Sequence, residues 1–278
     1  MITCELDADG NGKVVETFNR PIVYLDNWAL NEIALCTEWR EKFIQGMNDK
    51  NGHLRVSLMN LTELITQTDK DQIDSILTLI DSTDSGIINI DMFDVMSKEK
   101  GQSRFTCFGN PSSDLETSLC YLQANGFPNT VHVRDIFNIF LKGNPPLSTS
   151  FSDWTQFSDM MESTTEKGRK NEAYLNKIKE HAREIRKKPT EERALTKELF
   201  YLAYKFVMSN KDMTMNSNEW KDIFHTVVPV AYCDYVLLDR RWVGFVNETG
   251  FGSPHIAKVY SKKDMSEFFE VLCEFEPA

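Results

Sequence analysis

The sequence predicts an α/β protein, a parallel sheet flanked by helices and split by a large all-helical insertion. Three observations carry this expectation. Apolar runs of strand length alternate with helical patterns over residues 20–95, the strand signal disappears from about residue 99, and sheet-like runs return after about residue 230. Two of these runs, Pro21-Ile-Val-Tyr-Leu-Asp26 and Tyr232-Cys-Asp-Tyr-Val-Leu-Leu-Asp239, end on an aspartate. An acid just past the carboxyl end of a strand sits where open α/β sheets bind ligands.

Taken in order, residues 1–19 are polar and Gly-containing and read as an arm leading to a first strand at 21–25. Trp28, Leu30, Ile33, Ala34, Trp39 and Phe43 then keep amphipathic helical spacing. Leu54-Arg-Val-Ser-Leu-Met-Asn60 alternates as a strand does, and a helix carrying Leu61, Leu64 and Ile65 follows, with Asn60 and Glu63 as its expected capping box. A helix over 70–80 and a strand over 86–90 complete the rhythm. Residues 98–113, rich in Gly, Ser and Pro, read as a linker, and 143–150 as a second interruption. Helices are expected at 113–125, 130–142, 151–162, 166–187 and 190–208, with Pro189 ending one and starting the next. Strands at 233–238 and 256–260 and a helix through Phe268 to Leu272 close the chain. The expected organisation is a core of residues 1–98 and 211–278 around an insertion at 99–210, with no internal repeat.

The 278 residues suffice for a sizeable core, and 41% hydrophobic with 26% charged residues is ordinary for a globular protein. No apolar run approaches the roughly 18 residues of a membrane span, and the first residues lack a signal-peptide pattern. Six cysteines (Cys4, Cys36, Cys107, Cys120, Cys233, Cys273) without CxxC pairing suit reduced thiols in a cytoplasm and argue against zinc. The net charge of −11 argues against nucleic-acid binding by bulk charge, but it is uneven. Residues 166–197 hold eleven Lys or Arg against six Glu, which leaves −16 on the remainder. A basic stripe beside an acidic site suits a metal nuclease. A solvated helix with Glu and Lys pairs at helical spacing reads the same way.

Hard divalent cations want several carboxylates converging from different elements. Asp26 and Asp239 are the natural pair, Glu63 lies in the first turn of its helix, and Asp222 lies in a helix leading to the 233–238 strand. Asp234 is a substitute third ligand. His225, three residues beyond Asp222, is placed to orient a phosphate or a metal-bound water, and Arg240 and Arg241 to contact phosphate. Each also has an ordinary reading. Asp26 can cap the next helix, Glu63 can serve only the capping box, Asp222 lies opposite the Trp220, Ile223, Phe224 and Val227 stripe, and Asp239 can be a turn acid. His225 can merely satisfy a hydrogen bond, and the arginines can be solvated. Two EF-hand-like stretches, Asp7-Ala-Asp-Gly-Asn-Gly-Lys-Val14 and Asp81-Ser-Thr-Asp-Ser-Gly-Ile-Ile88, have Phe18 and Met92 where a bidentate Glu is needed and read as turns.

Val23-Tyr-Leu-Asp26, Val56-Ser-Leu-Met-Asn-Leu-Thr-Glu63, Asp222-Ile-Phe-His225 and Tyr232 through Asp239-Arg together resemble the acidic motifs of PIN-domain ribonucleases. The resemblance covers residues 20–95 and 215–260. It implies a PIN-like core and a metal-dependent endoribonuclease in which Asp26, Glu63, Asp222 and Asp239 hold one or two Mg²⁺ or Mn²⁺ ions. It also suggests RNA as substrate and a toxin or phage-defence role. Residues 99–210 depart from the family's shorter core. A DNA-cleaving nuclease with the same carboxylates, or a non-catalytic interaction scaffold using the helical insertion to bind a protein partner, are the other readings. No nucleotide-binding glycine loop appears, so no energy cofactor is expected.

Overall fold

A computed structural model describes residues 2–6, 12–16, 19–99, 130–142, 148–188 and 194–276. The chain starts with an antiparallel hairpin, β1 (Ile2–Leu6) and β2 (Gly12–Glu16), with Ile2 opposite Glu16. Within the expected polar arm, residues 2–6 and 12–16 are therefore sheet, their Ile, Thr and Val residues suiting a ladder. Residues 7–11, within the first turn-like stretch, lie outside the described residues. β3 (Ile22–Leu25) leads through Asp26 into α1 (Asn27–Leu35). The single helical pattern expected next is divided at Cys36, whose extended backbone (ψ 109°) separates α1 from α2 (Thr37–Asp49). The bend keeps Ile33 and Ala34 on one side of it and Phe43 and Met47 on the other packed in one core.

β4 (His53–Ser57) passes directly into α3 (Leu58–Ile65). The helix starts earlier than its sequence suggests, and the capping box is Ser57 with Asn60, not Asn60 with Glu63. Ser57 Oγ accepts from the Asn60 N–H at 3.0 Å and Asn60 Oδ1 accepts from the Ser57 N–H at 2.9 Å. α4 (Lys70–Asp81), β5 (Asp84–Ile88) and α5 (Met92–Lys98) follow, the two helices capped by Asp69 and Asp91. The second EF-hand-like stretch is thus the end of α4, a two-residue turn and β5.

Beyond residue 99, the expected helix at 113–125, Pro189 and most of the linker at 98–113 lie outside the described residues. The segment is not wholly helical. β6 (Thr130–Val131) pairs antiparallel with β1, so α6 covers only Val133–Leu141. α7 (Ser148–Arg169) runs through the break expected near 163, and the chain breaks at 170–171, where the Asn171 side chain accepts from the Tyr174 N–H at 3.1 Å and caps α8 (Glu172–Lys187). α9 (Leu195–Ser209), α10 (Ser217–Tyr232), β7 (Tyr235–Leu237), α11 (Arg240–Glu248), β8 (Lys258–Tyr260) and α12 (Met265–Glu274) complete the chain. Gly250, in the left-handed region at φ 77°, turns the chain just after α11.

The main sheet is entirely parallel, in the order β5-β4-β3-β7-β8. Helices cover both faces. On one, Val23, Leu25, Leu54, Val56, Ile87, Tyr235 and Leu237 pack against α1 to α4, α6 and α12. On the other, Ile22, Tyr24, Ile88, Val236 and Leu238 pack against α5 and α8 to α11. Residues of 99–210 sit in both cores: Val133, Ile136 and Phe137 in the first, Ile178, Ile185, Leu199 and Leu202 in the second. The described part of this segment is built into the domain's two layers. Among the described residues, no helix is long and apolar enough to cross a membrane.

Candidate active site at the carboxyl edge of the sheet

The chain leaves β3 towards β4 and β5 on one side and returns through β7 and β8 on the other. The order therefore reverses between β3 and β7, and at such a point two crossovers diverge and leave a crevice beyond the strand ends. Leu25 pairs with Leu237 in register, and the Asp26 N–H donates to the Leu237 carbonyl at 3.2 Å. Asp26 and Asp239 thus leave adjacent strands at this edge. α3 brings Glu63 to the site from β4, and α10 brings Asp222 and His225.

Asp26 does cap α1, accepting from the Asn27 N–H at 2.8 Å, yet its Oδ1 also stands 4.0 Å from His225 Nδ1. Asp239 occupies the same place before α11 and makes no capping hydrogen bond. Glu63 plays no part in the capping box. Its carboxylate accepts from the Asn27 side-chain amide and lies 4.0 Å, through Oε1, from His225 Nε2. Asp222 is half-buried rather than solvent-facing and accepts from the Trp242 side chain. The four acids come from four different elements, which no stretch of sequence brings together locally.

Their electrostatics follow from that crowding. Burial, opposed by the Asn27 N–H and reinforced by Asp239, pushes the Asp26 carboxyl up to about 7. Burial and then the charge of Asp26 push Asp222 up to about 7 as well. Glu63 and Asp239 are raised, first by burial, with Asp26 acting on Glu63 and Glu219 acting on Asp239 in the same sense. The buried His225 is driven down to about 4 by desolvation, so its imidazole is neutral near pH 7.

A chain of hydrogen bonds holds the crevice. Asn60 donates from Nδ2 to Asn27 Oδ1 at 2.8 Å, Asn27 donates to Glu63, Ser57 Oγ donates to Asn60 Oδ1 at 2.8 Å, and the Tyr24 hydroxyl lies 3.3 Å from Ser57 Oγ and bonds His225 Nδ1. Tyr24, Asn27, Ser57, Asn60 and Trp242, with Glu219 and Lys221 near the rim, are site residues that the acid pattern alone does not reveal. One local signal exists: Pro229 lies inside α10 and cannot donate to the carbonyl of His225, four residues earlier, which marks that turn as irregular.

Three candidates behave differently. Asp234 lies at the amino end of β7, where it accepts from Arg20 at 2.7 Å and from the Ile22 N–H at 2.8 Å. As a substitute metal ligand it is corrected to a structural acid, because a residue at the start of a strand cannot reach the strand's far end. Arg241 is engaged by Glu219, and Arg240 is exposed beside it at the start of α11. The basic helix α8 buries Ile178, Ala182 and Ile185, and its Arg186 donates to the Thr249 and Glu248 carbonyls, capping α11 at the end away from Asp239.

Oxygen donors of this number and charge suit a hard divalent cation, which would favour the charged form of four carboxyls that burial raises. Asp26, Glu63, Asp222 and Asp239 are the residues that would hold it. Among the described residues no three His, Cys, Asp or Glu side chains already form a group that could enclose a metal ion, so the acids border the crevice without converging on one point. The fold and site define a doubly wound α/β protein with an acidic crevice at its switch point. No protein-family model, curated protein or solved structure matches the chain.

Proposed function

We propose that the chain is a metal-dependent endoribonuclease with a PIN-like core, hydrolysing phosphodiester bonds at the crevice bordered by Asp26, Glu63, Asp222 and Asp239. One observation supports the reading: four acids from four elements border the switch point with their carboxyls raised, chiefly by burial, an arrangement that costs folding energy and that a divalent cation would repay. Carboxylates alone repel a phosphodiester, so a cation must stand between them. When bound, one or two Mg²⁺ or Mn²⁺ ions supply Lewis acidity and an activated water.

The chain's own residues do the rest. Asn27 orients Glu63, Trp242 orients Asp222, and the amino ends of α1 and α11 open towards the crevice and favour the anionic substrate. A toxin or phage-defence role belongs to the same reading. The test is cleavage of labelled single-stranded RNA and matched DNA with Mn²⁺, Mg²⁺ or EDTA. Metal-dependent cutting of RNA that falls by at least about 10²-fold in Asp26→Asn supports the reading. Cutting of DNA alone would reassign the substrate, and no cutting of either would favour a scaffold.

A further inference from the structure

One polar atom at the crevice has no hydrogen-bond partner among the described residues. His225 is 3% exposed, its Nδ1 bonds the Tyr24 hydroxyl, and its buried Nε2 bonds nothing. A buried polar nitrogen left in that state is unfavourable, so it calls for an explanation. The hydrogen-bond chain admits a form of the ring that leaves Nε2 free to bind a cation. Ser57 Oγ gives its hydrogen to Asn60 Oδ1 and accepts from the Asn60 N–H. If the Tyr24 hydroxyl donates to Ser57, its oxygen is left to accept from His225 Nδ1–H. In that form Nε2 carries a lone pair beside the acids, without a hydrogen-bond partner among the described residues.

A lone pair facing a carboxylate is repulsive unless something positive lies between them. Glu63 Oε1 and His225 Nε2 are 4.0 Å apart. That is less than twice a metal–ligand distance of roughly 2.1 Å, so the two atoms are close enough for one ion to bridge. The Tyr24 hydroxyl then has the part of the outer partner that fixes the orientation and tautomer of a ligating imidazole.

We propose that His225 Nε2 is a direct metal ligand beside Glu63, making this a mixed nitrogen and oxygen site that takes a first-row divalent transition ion in preference to Mg²⁺. Imidazole nitrogen is a softer donor than carboxylate, and it strengthens binding of such ions more than that of Mg²⁺. The inference rests on the metal-site reading above and gives His225 a role on the metal itself.

Mn²⁺ bound to the full chain serves as the probe. Pulsed EPR is expected to show coupling to a histidine nitrogen, which changes character when the protein carries ¹⁵N-histidine and disappears in His225→Gln. The same variant is expected to bind Mn²⁺ at least about tenfold more weakly, with a smaller change for Mg²⁺. If His225→Gln does not fold, a chain with the exposed His132, His181 and His255 replaced by Gln retains only His225 and His53, and His53 lies at the opposite edge of the sheet. Nitrogen coupling in that chain supports the proposal. Bound Mn²⁺ without nitrogen coupling, or coupling that survives in folded His225→Gln, overturns it and leaves a carboxylate site standing. Failure of the parent protein to bind Mn²⁺ overturns both readings.

Discussion

The two edges of the main sheet carry the same residue types in opposite circumstances. At the amino edge, Asp234 is held by Arg20 and the Ile22 N–H, and Asp84 by His53 at 3.0 Å. The hydrogen bond from His53 draws the Asp84 carboxyl down to about 2. At the carboxyl edge, five residues along the chain from Asp234, Asp239 makes no capping bond, and with Asp26, Asp222 and Glu63 it is raised rather than lowered. The amino-edge acids pair with Arg20 or His53, whereas Asp26, Glu63 and Asp222 accept from neutral Asn27 and Trp242 N–H groups and stay raised. The kind of partner, not position beside a strand, separates the lowered carboxyl of Asp84 from the raised ones at the carboxyl edge.

The sharpest way to break this comparison is to remove one acid from each edge. Asp239→Asn is expected to cut metal-dependent cleavage by about 10²-fold or more while leaving the thermal midpoint unchanged or raised. Asp234→Ala should leave cleavage per folded molecule near the parent value. Equal losses in the two variants, measured on RNA at matched folded concentrations, would abolish the distinction.

Stability against pH tests the same contrast without mutation. Asp26 and Asp222 titrate near 7 when folded and near 3.8 when unfolded, so the folded state binds the extra protons. Metal-free stability should therefore fall as pH rises from about 4 to 7 and level off above, by on the order of a few kcal/mol. Asp84 has the opposite sign: its contribution is present above its unfolded value and lost as pH falls towards 2. Mn²⁺ should restore most of the loss near pH 7, which urea melts with Mn²⁺ and with EDTA would show. A flat metal-free profile between pH 4 and 7 would contradict the crowding of the acids.

A smaller effect is expected at the amino edge itself. Asp234→Ala deletes a carboxylate whose side chain is 9% exposed and leaves the Arg20 guanidinium without that carboxylate, for a cost of about 2 kcal/mol in chemical denaturation. Smallest is Arg241→Ala. Its partner Glu219 lies at the rim and Arg241 is half exposed, so stability should change by less than about 1 kcal/mol. A modest weakening of RNA binding measured by fluorescence anisotropy, with the melt unchanged, would make Arg241 a substrate contact.

Much of this site was legible because its acids follow directly on strands. An apolar run ending in Asp is a chain-local pattern, and Asp26 and Asp239 emerge where the pattern places them. Asp234, at the start of its strand, is the weaker ligand candidate on sequence alone, but its partner Arg20, 214 residues away, is not legible there. Ser57 and Asn60 were hidden by a helix that begins earlier than its apolar pattern. Arg55 was equally opaque, since it alternates with Leu54 and Val56 as an exposed residue would. It is fully buried instead, donating to the Ile87 carbonyl at 2.9 Å, because helices cover that face too.

By itself, then, the sequence determined the alternation of strands and helices and the acids that end two strands, since periodicity and capping act over a few residues. Only the tertiary structure decided which acids border one crevice, which are held by an arginine or histidine from another element, and which nitrogen of His225 lacks a hydrogen-bond partner among the described residues. Those outcomes depend on strand order and on burial between layers, which arise from contacts hundreds of residues apart along the chain.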